Sequence, residues 1–267
     1  MNNRFNLLQI AALLPVLMTP FLTQAQSVSL GADFFNRYVW RGYDFGDSFS
    51  IQPDLSVSAG GFTLGTWGSY SISADGASAN EHDIYASYSI ALPGSGSVDF
   101  AVTDYYFPNT PGVDCEDPAK ASFERYQVEC VSPIIISEES ESSNWSNFDD
   151  EDGAHYIELM GSVTLPESFP LTLAAAFMVH NDPDDSIYLE ASIPFSVSDV
   201  DLGFTLGVVA GESDFYGTKD FALVNLGISA SKDLQITESF ALPLTAGYIL
   251  NPDDDKSYLV FGFSLSP

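Results

Sequence analysis

Arg37 and Arg41 stand four positions apart in the aromatic stretch Phe34-Phe35-Asn36-Arg37-Tyr38-Val39-Trp40-Arg41, with Asp33 four positions before the first. Positive charge is scarce, since the chain carries 8 Lys and Arg against 37 Asp and Glu, a net charge of −29. A guanidinium offers a planar fork of donors to a carboxylate. Arginines sharing an interior with Asp33, Asp54, Glu158 and Glu190 would form either a polar constriction that filters solutes by charge or a salt-bridged filling. Asp182, Asp184 and Asp185, and again Asp253, Asp254 and Asp255, put hard oxygen donors within a few residues. They are candidates for loop-bound divalent cations, although their spacing is unlike an EF-hand. No other cofactor is expected.

Three histidines, His82, His155 and His180, are scattered, which leaves no zinc set. His180 is the best base for a hydrolase built on a barrel rim, but nothing fixes a serine or an acid beside it. No enzyme is expected. Cys115 and Cys130 are the only cysteines and share one polar segment. In an oxidising compartment they are expected to close that loop with a disulfide.

The elements that would position these groups are strands. Residues 1–25 are set aside as a signal peptide: Arg4, an apolar run over 7–22 and a small-residue site ending at Ala25. Residues 26–267 form one domain. No later segment reaches the roughly 18 uninterrupted apolar residues that a membrane helix needs. Instead, apolar residues alternate with polar ones in blocks of about ten. In the last block Leu259, Phe261, Phe263 and Leu265 fall on one face, while Tyr258, Val260, Gly262 and Ser264 fall on the other. Twelve strands are predicted: 28–41, 48–58, 61–73, 82–92, 96–107, 154–165, 169–180, 186–196, 199–211, 219–231, 233–250 and 257–266.

Alternation alone does not separate a soluble sandwich from a membrane barrel. The connections do. After even-numbered strands they are short, at Gly60-Gly61, Pro93-Gly94-Ser95, Pro166-Glu167-Ser168, Ser198 and Lys232. After odd-numbered strands they are longer and hold most of the acidic residues. Short turns at one rim and long polar loops at the other, with an even strand count, are the pattern of a bacterial outer-membrane barrel. The fold class is therefore all-β, an antiparallel up-and-down transmembrane β-barrel of about 12 strands in the outer membrane of a Gram-negative bacterium. Tyr38, Trp40, Tyr43, Tyr70, Tyr85, Tyr105, Tyr106, Tyr248 and Tyr258 fall near the long-loop ends and suggest an interfacial girdle.

The partners this implies are outer-membrane lipid and lipopolysaccharide, and the barrel-assembly machinery during biogenesis. Nucleic acid is excluded by the charge, and the oligomeric state stays open. Segment 108–153 is too long for a simple hairpin loop. It either folds over the mouth or extends outward as a recognition surface. Asn181-x-x-Asp184-Asp185-x-x-Tyr188-Leu189 recurs as Asn251-x-x-Asp254-Asp255-x-x-Tyr258-Leu259, each copy covering a loop and its returning strand.

The runs Tyr38-Val39-Trp40-Arg41-Gly42, Gln52-Pro53-Asp54-Leu55-Ser56, Gly61-Phe62-x-x-Gly65-x-Trp67-x-Ser69 and Glu81-x-Asp83-x-Tyr85 resemble the TorF-type porin family over roughly the first hundred residues. The resemblance implies an outer-membrane barrel and passive solute passage, with no agreed functional residues. Two functions follow as expectations: a porin-like, cation-preferring channel for small hydrophilic solutes, or a closed barrel acting as a surface interaction module through its acidic loops.

Overall fold

In this computed structural model, residues 26–46, 48–72, 80–108, 145–148 and 154–266 are described. The expected leader, Cys115, Cys130 and most of segment 108–153 lie outside the described residues. The strands are β1 Gln26–Phe35, β2 Tyr38–Trp40, β3 Tyr43–Gly46, β4 Ser50–Ala59, β5 Phe62–Ser71, β6 Glu81–Ala91, β7 Ser97–Tyr106, β8 His155–Thr164, β9 Thr172–His180, β10 Ile187–Val197, β11 Val200–Val209, β12 Ala222–Thr237, β13 Phe240–Asn251 and β14 Lys256–Leu265.

Twelve of them close a barrel. Sequential neighbours from β4 to β14 pair antiparallel, and β1 completes the ring by pairing with both β14 and β4. Closure removes the sheet edges that would otherwise leave backbone groups unpaired in lipid. The alternation sorts side chains as the sequence implies, but inside out relative to a soluble protein. Val28 is 70% and Leu259 59% exposed on the outer wall, with Leu64, Phe100, Phe177, Phe195 and Phe261 beside them. The opposite parity, rich in Ser, Thr, Gly and Ala, faces the lumen.

Two predicted boundaries are wrong. The first strand was expected to run without a break over 28–41, but β1 ends at Phe35 and the chain turns inward. Asn36 makes this exit possible. Its Nδ2 donates to the Leu259 carbonyl at 3.0 Å, and its Oδ1 accepts from the Phe261 amide at 2.8 Å. One side chain thus continues the ladder with β14 where the backbone leaves it, so the Phe261 amide and the Leu259 carbonyl keep partners. The turn expected at Lys232 lies instead at residues 238–239, because Lys232 continues β12 in register opposite Leu244. Its amine reaches Asp199 at 2.7 Å from the outer wall.

Released from the wall, residues 38–46 fold into the two-stranded hairpin β2–β3. Its contacts reach β5 through Tyr38 and Trp67 and β7 through Trp40 and Tyr105. They reach β8 through Arg41 and Glu158, and β12 where Gly42 meets Val224. A segment touching strands spread around the ring stands inside the lumen, at the long-loop end where β1 finishes. The aromatic girdle is corrected accordingly. Tyr70, Tyr106 and Tyr248 face outward, while Tyr38, Tyr43, Tyr105 and Tyr258 are buried within the barrel and Trp40 and Tyr85 also point in.

Candidate functional site

The long-loop half of the lumen is filled by the β2–β3 hairpin and by loop 210–221, whose Phe215 and Tyr216 fold in to meet it. Tyr38, Tyr43, Phe45, Tyr105, Tyr188, Phe215 and Tyr216 are all buried in one cluster, with Trp40, Trp67, Phe107 and Tyr156 packed against it. Trp40 stacks on Tyr216 at 5.9 Å and meets Tyr105 and Phe215 edge-on. Each such ring pair adds about 0.5–1.5 kcal/mol beyond its buried area.

Arg41 sits at the centre. Its guanidinium lies 4.3 Å from the Trp40 ring centroid and 4.4 Å from that of Tyr188. Nη1 and Nη2 donate to the two Glu158 oxygens at 2.5 and 3.0 Å, and Nη1 also donates to the Tyr216 hydroxyl at 2.6 Å. Tyr105 donates its hydroxyl to Glu158 Oε1 at 3.0 Å. Side-chain exposure is 10% for Arg41 and 3% for Glu158, so this is a desolvated fork-to-fork pair held between two aromatic faces.

The backbone serves this placement. Arg41 and Gly42 form the two-residue turn between β2 and β3, with φ of 49° and 88°. Turns of this kind favour Asn or Gly, and a side chain with a Cβ pays a steric cost at positive φ. Arginine at the first turn position therefore carries a backbone cost that its side-chain contacts must offset. Gly42 is required by space as well as by φ, because a Cβ there would lie 1.8 Å from the Val224 carbonyl oxygen. Gly207 plays a matching part in the wall, since a Cβ there would lie 1.9 Å from the Tyr188 hydroxyl. That hydroxyl donates to Glu190 at 2.7 Å and accepts from Asn225 at 3.2 Å.

Of the residues expected to meet in the lumen, the structure brings Arg41 to Glu158 and sets Glu190 two residues from Tyr188 on the same inward face. Arg37 was expected on a wall strand. It lies instead at the root of the hairpin, donating to Asp44 at 2.7 Å with its guanidinium 5.7 Å from the Tyr258 ring. Asp33 and Asp54 have inward parity on β1 and β4, away from both arginines' carboxylate partners. The Asp54 carboxylate lies over Gly31, 2.5 Å from where a Cβ would be. Beneath the hairpin is a cavity of about 290 Å³ bounded by Arg37, Arg41, Gln52, Asn225, Ser229 and Thr245.

The short-turn half differs in kind. Its inward positions are small or acidic, with Ser29, Ser56, Ser87, Ala101, Ser162, Thr172, Ser192, Gly203 and Ser231 interspersed with Asp99, Asp201 and Asp233. Ser97 donates to Asp99 at 2.6 Å and Ser196 to Asp201 at 2.7 Å, each across this inner face. Among the described residues no Lys or Arg shares that face. Asp99 and Asp201 were legible by the same parity that gave Asp33, but Asp233 was hidden by the misplaced turn at Lys232. Tyr216, in a connection without alternation, carried no sequence signal.

The acidic trios act as turn formers. Asp182 accepts from the Ser186 amide at 2.7 Å, and Asp184 accepts from the Asp214 amide at 2.7 Å, tying two loops together. In the second copy of the motif Asn251 takes the capping role, accepting from the Asp253 and Asp254 amides at 3.1 and 3.2 Å. Partial burial, then the Asp254 charge, holds the Asp253 carboxyl above its ordinary value. At the opposite rim, the hydrogen bond from Lys232 holds Asp199 below its own. Among the described residues no three His, Cys, Asp or Glu side chains gather as a metal set. His180 lies at the end of β9 with inward parity.

No curated protein matches the sequence. Solved structures to which the chain is similar include the KdgM porin, at 10% identity over 89% of this chain and 97% of that one, with a TM-score of 0.46. The NanC porin matches at 9% identity over 88% and 97%, with a TM-score of 0.46. The COG4313 outer membrane channel from Pseudomonas putida F1 matches at 13% identity over 91% and 94%, with a TM-score of 0.45. The chain belongs to the family described as bacterial protein of unknown function (Gcw_chp), which it matches over residues 22–209.

Proposed function

We propose that the protein is an outer-membrane channel of a Gram-negative bacterium that passes small hydrophilic solutes and prefers cations. The observation that carries this reading is the charge of the short-turn half. Asp99, Asp201 and Asp233 have inward parity there, and Asp33 and Asp54 share that parity nearer the hairpin, with no basic partner on that face among the described residues. Among the described residues, the two arginines of the interior are each matched to a carboxylate, Asp44 or Glu158. A water-filled lumen with an acidic lining concentrates cations and repels anions. The apolar outer wall, the sorting of short turns from long acidic loops, the export pattern of residues 1–25 and the TorF resemblance support the membrane setting.

Purified protein in planar bilayers is expected to give discrete conductance steps and, under a KCl gradient, a reversal potential of the sign set by potassium. A barrel that inserts without conducting, or one that favours chloride, overturns the reading. The filled long-loop half favours a second reading, a closed barrel that works as an interaction module through its acidic loops. That reading expects silent bilayers and binding to a surface partner that is lost when residues 109–144 are deleted.

A further inference from the structure

We propose that the long-loop half of the lumen is a receptor for organic cations of the guanidinium class, that Arg41 occupies it as a tethered ligand, and that free guanidinium solutes open the channel by displacing Arg41. The inference rests on the channel reading and names the solute class that reading leaves open.

Most of the groups that hold the Arg41 guanidinium belong to the wall and to loop 210–221, not to the hairpin that carries it. Glu158 is on β8, Tyr105 on β7, Tyr188 on β10 and Tyr216 in the loop, and only Trp40 travels with Arg41. If the hairpin withdraws, a carboxylate, two phenol hydroxyls and an aromatic face remain around the vacated position. The Glu158 carboxylate is steadied by the Tyr105 hydroxyl, and Tyr188 is anchored from Glu190 and Asn225. These groups are set by their own contacts as well as by the arginine. A carboxylate receiving two parallel N–H donors beside a flat aromatic face discriminates a guanidinium from an alkali ion or a simple ammonium.

The tether is not relaxed. Arg41 holds a positive φ that its side chain disfavours, so part of what the receptor gives is spent on keeping the turn in place. The cavity of about 290 Å³ borders Arg41, Gly42 and Tyr38 directly, and Gln52 in its lining is the cross-strand partner of Asp33. A small cation gathered by Asp33 and Asp54 therefore arrives next to the tethered one. A covalently held ligand competes at an effective concentration of roughly millimolar or more, so displacement is expected with free guanidinium compounds at about 10–100 mM.

The test uses the full chain in bilayers and in detergent, with ethylguanidinium as the probe and ethylammonium at equal ionic strength as control. For Arg41→Ala, ethylguanidinium is expected to raise the unfolding temperature where ethylammonium does not, and adding Glu158→Gln is expected to abolish that rise. For the unaltered protein, ethylguanidinium is expected to increase open probability. For Arg41→Lys, which keeps charge but not the fork, the half-maximal concentration is expected to fall about tenfold. If Arg41→Ala does not fold, the Arg41→Lys shift alone decides. Equal effects of ethylguanidinium and ethylammonium overturn the receptor. Stabilisation of Arg41→Ala with no change in the current through the unaltered channel overturns displacement while the channel stands. Stabilisation in a protein that never conducts in any form overturns the channel reading, and displacement as a gating step with it, by a result the first two cannot mimic.

Discussion

The two halves of the lumen solve the same problem, what to put inside a twelve-stranded ring, in opposite ways. Twelve strands enclose more room than their own side chains fill, in contrast to eight. At the long-loop end the protein adds material, a hairpin and a loop carrying rings as large as Trp40, Phe215 and Tyr216, and sets Arg37 and Arg41 of the hairpin against carboxylates, Asp44 and Glu158. At the short-turn end it adds nothing and lines the wall with Ser, Thr, Gly and unmatched carboxylates. On the proposed channel reading, the difference implies that the wall alone would set neither conductance nor selectivity. The wall supplies the inner half's acidity, and an inserted segment supplies the outer half's filling.

The sharpest way to break this contrast is to remove the insert. Replacing residues 38–46 by a short Gly-Ser link deletes no barrel strand, since β1 already pairs with β14 and β4 without the hairpin. The barrel is expected to fold and its single-channel conductance to rise several-fold. Unchanged conductance in the excised protein would place the restriction elsewhere, and the outer half would then be filler with no bearing on passage.

The ion pair separates packing from charge. Arg41→Met leaves Glu158 buried without its partner and is expected to cost about 3–5 kcal/mol of stability, the range found when one member of a buried pair is removed. Arg41→Met combined with Glu158→Leu is expected to recover most of that loss, because two matched apolar side chains leave no stranded charge. Denaturant unfolding of both variants in the same detergent measures the difference. If the double variant were no more stable than the single one, the rings and not the charge pair would be holding the hairpin in.

How much of this was legible in the residues follows the same division. Period-2 alternation reports which face of a strand points outward, so the outer wall, the twelve barrel strands and the inward parity of Asp33, Asp54, Glu158 and Glu190 could all be read. The outer half was misread because Tyr38, Val39 and Trp40 alternate as smoothly as the strand before them. The signal that they leave the wall is a single Asn36 whose side chain can imitate the backbone, and Asn-x pairs of that kind are common. Gly42 after Arg41 was the other clue, a two-residue turn inside an apparent strand. Tyr216 and Phe215 come from a loop 175 residues from Arg41 in sequence, and no local pattern reports a contact of that separation.

The smallest expected effect lies in the inner half, where each carboxylate faces water. At 4 Å in bulk water two unit charges interact by about 1 kcal/mol, and an ion crossing a wide lumen passes farther away than that. Neutralising one residue, as in Asp99→Asn, is therefore expected to lower the cation-to-anion permeability ratio by less than about fivefold. Asp99→Asn with Asp201→Asn and Asp233→Asn is expected to lower it further, and Arg41→Met combined with Glu158→Leu to leave it nearly unmoved, because removing both members of the pair leaves the net charge of the lumen unchanged. Salt gives the control. At 1 M ionic strength the screening length falls to about 3 Å, so the acidic lining should stop discriminating while the bulk of the hairpin goes on restricting flow. Reversal potentials of the unaltered protein at 0.1 M and 1 M KCl thus separate the two halves without any mutation. A selectivity that survives high salt would have to come from the narrow, ring-lined end, and the division of labour between the halves would then be reversed.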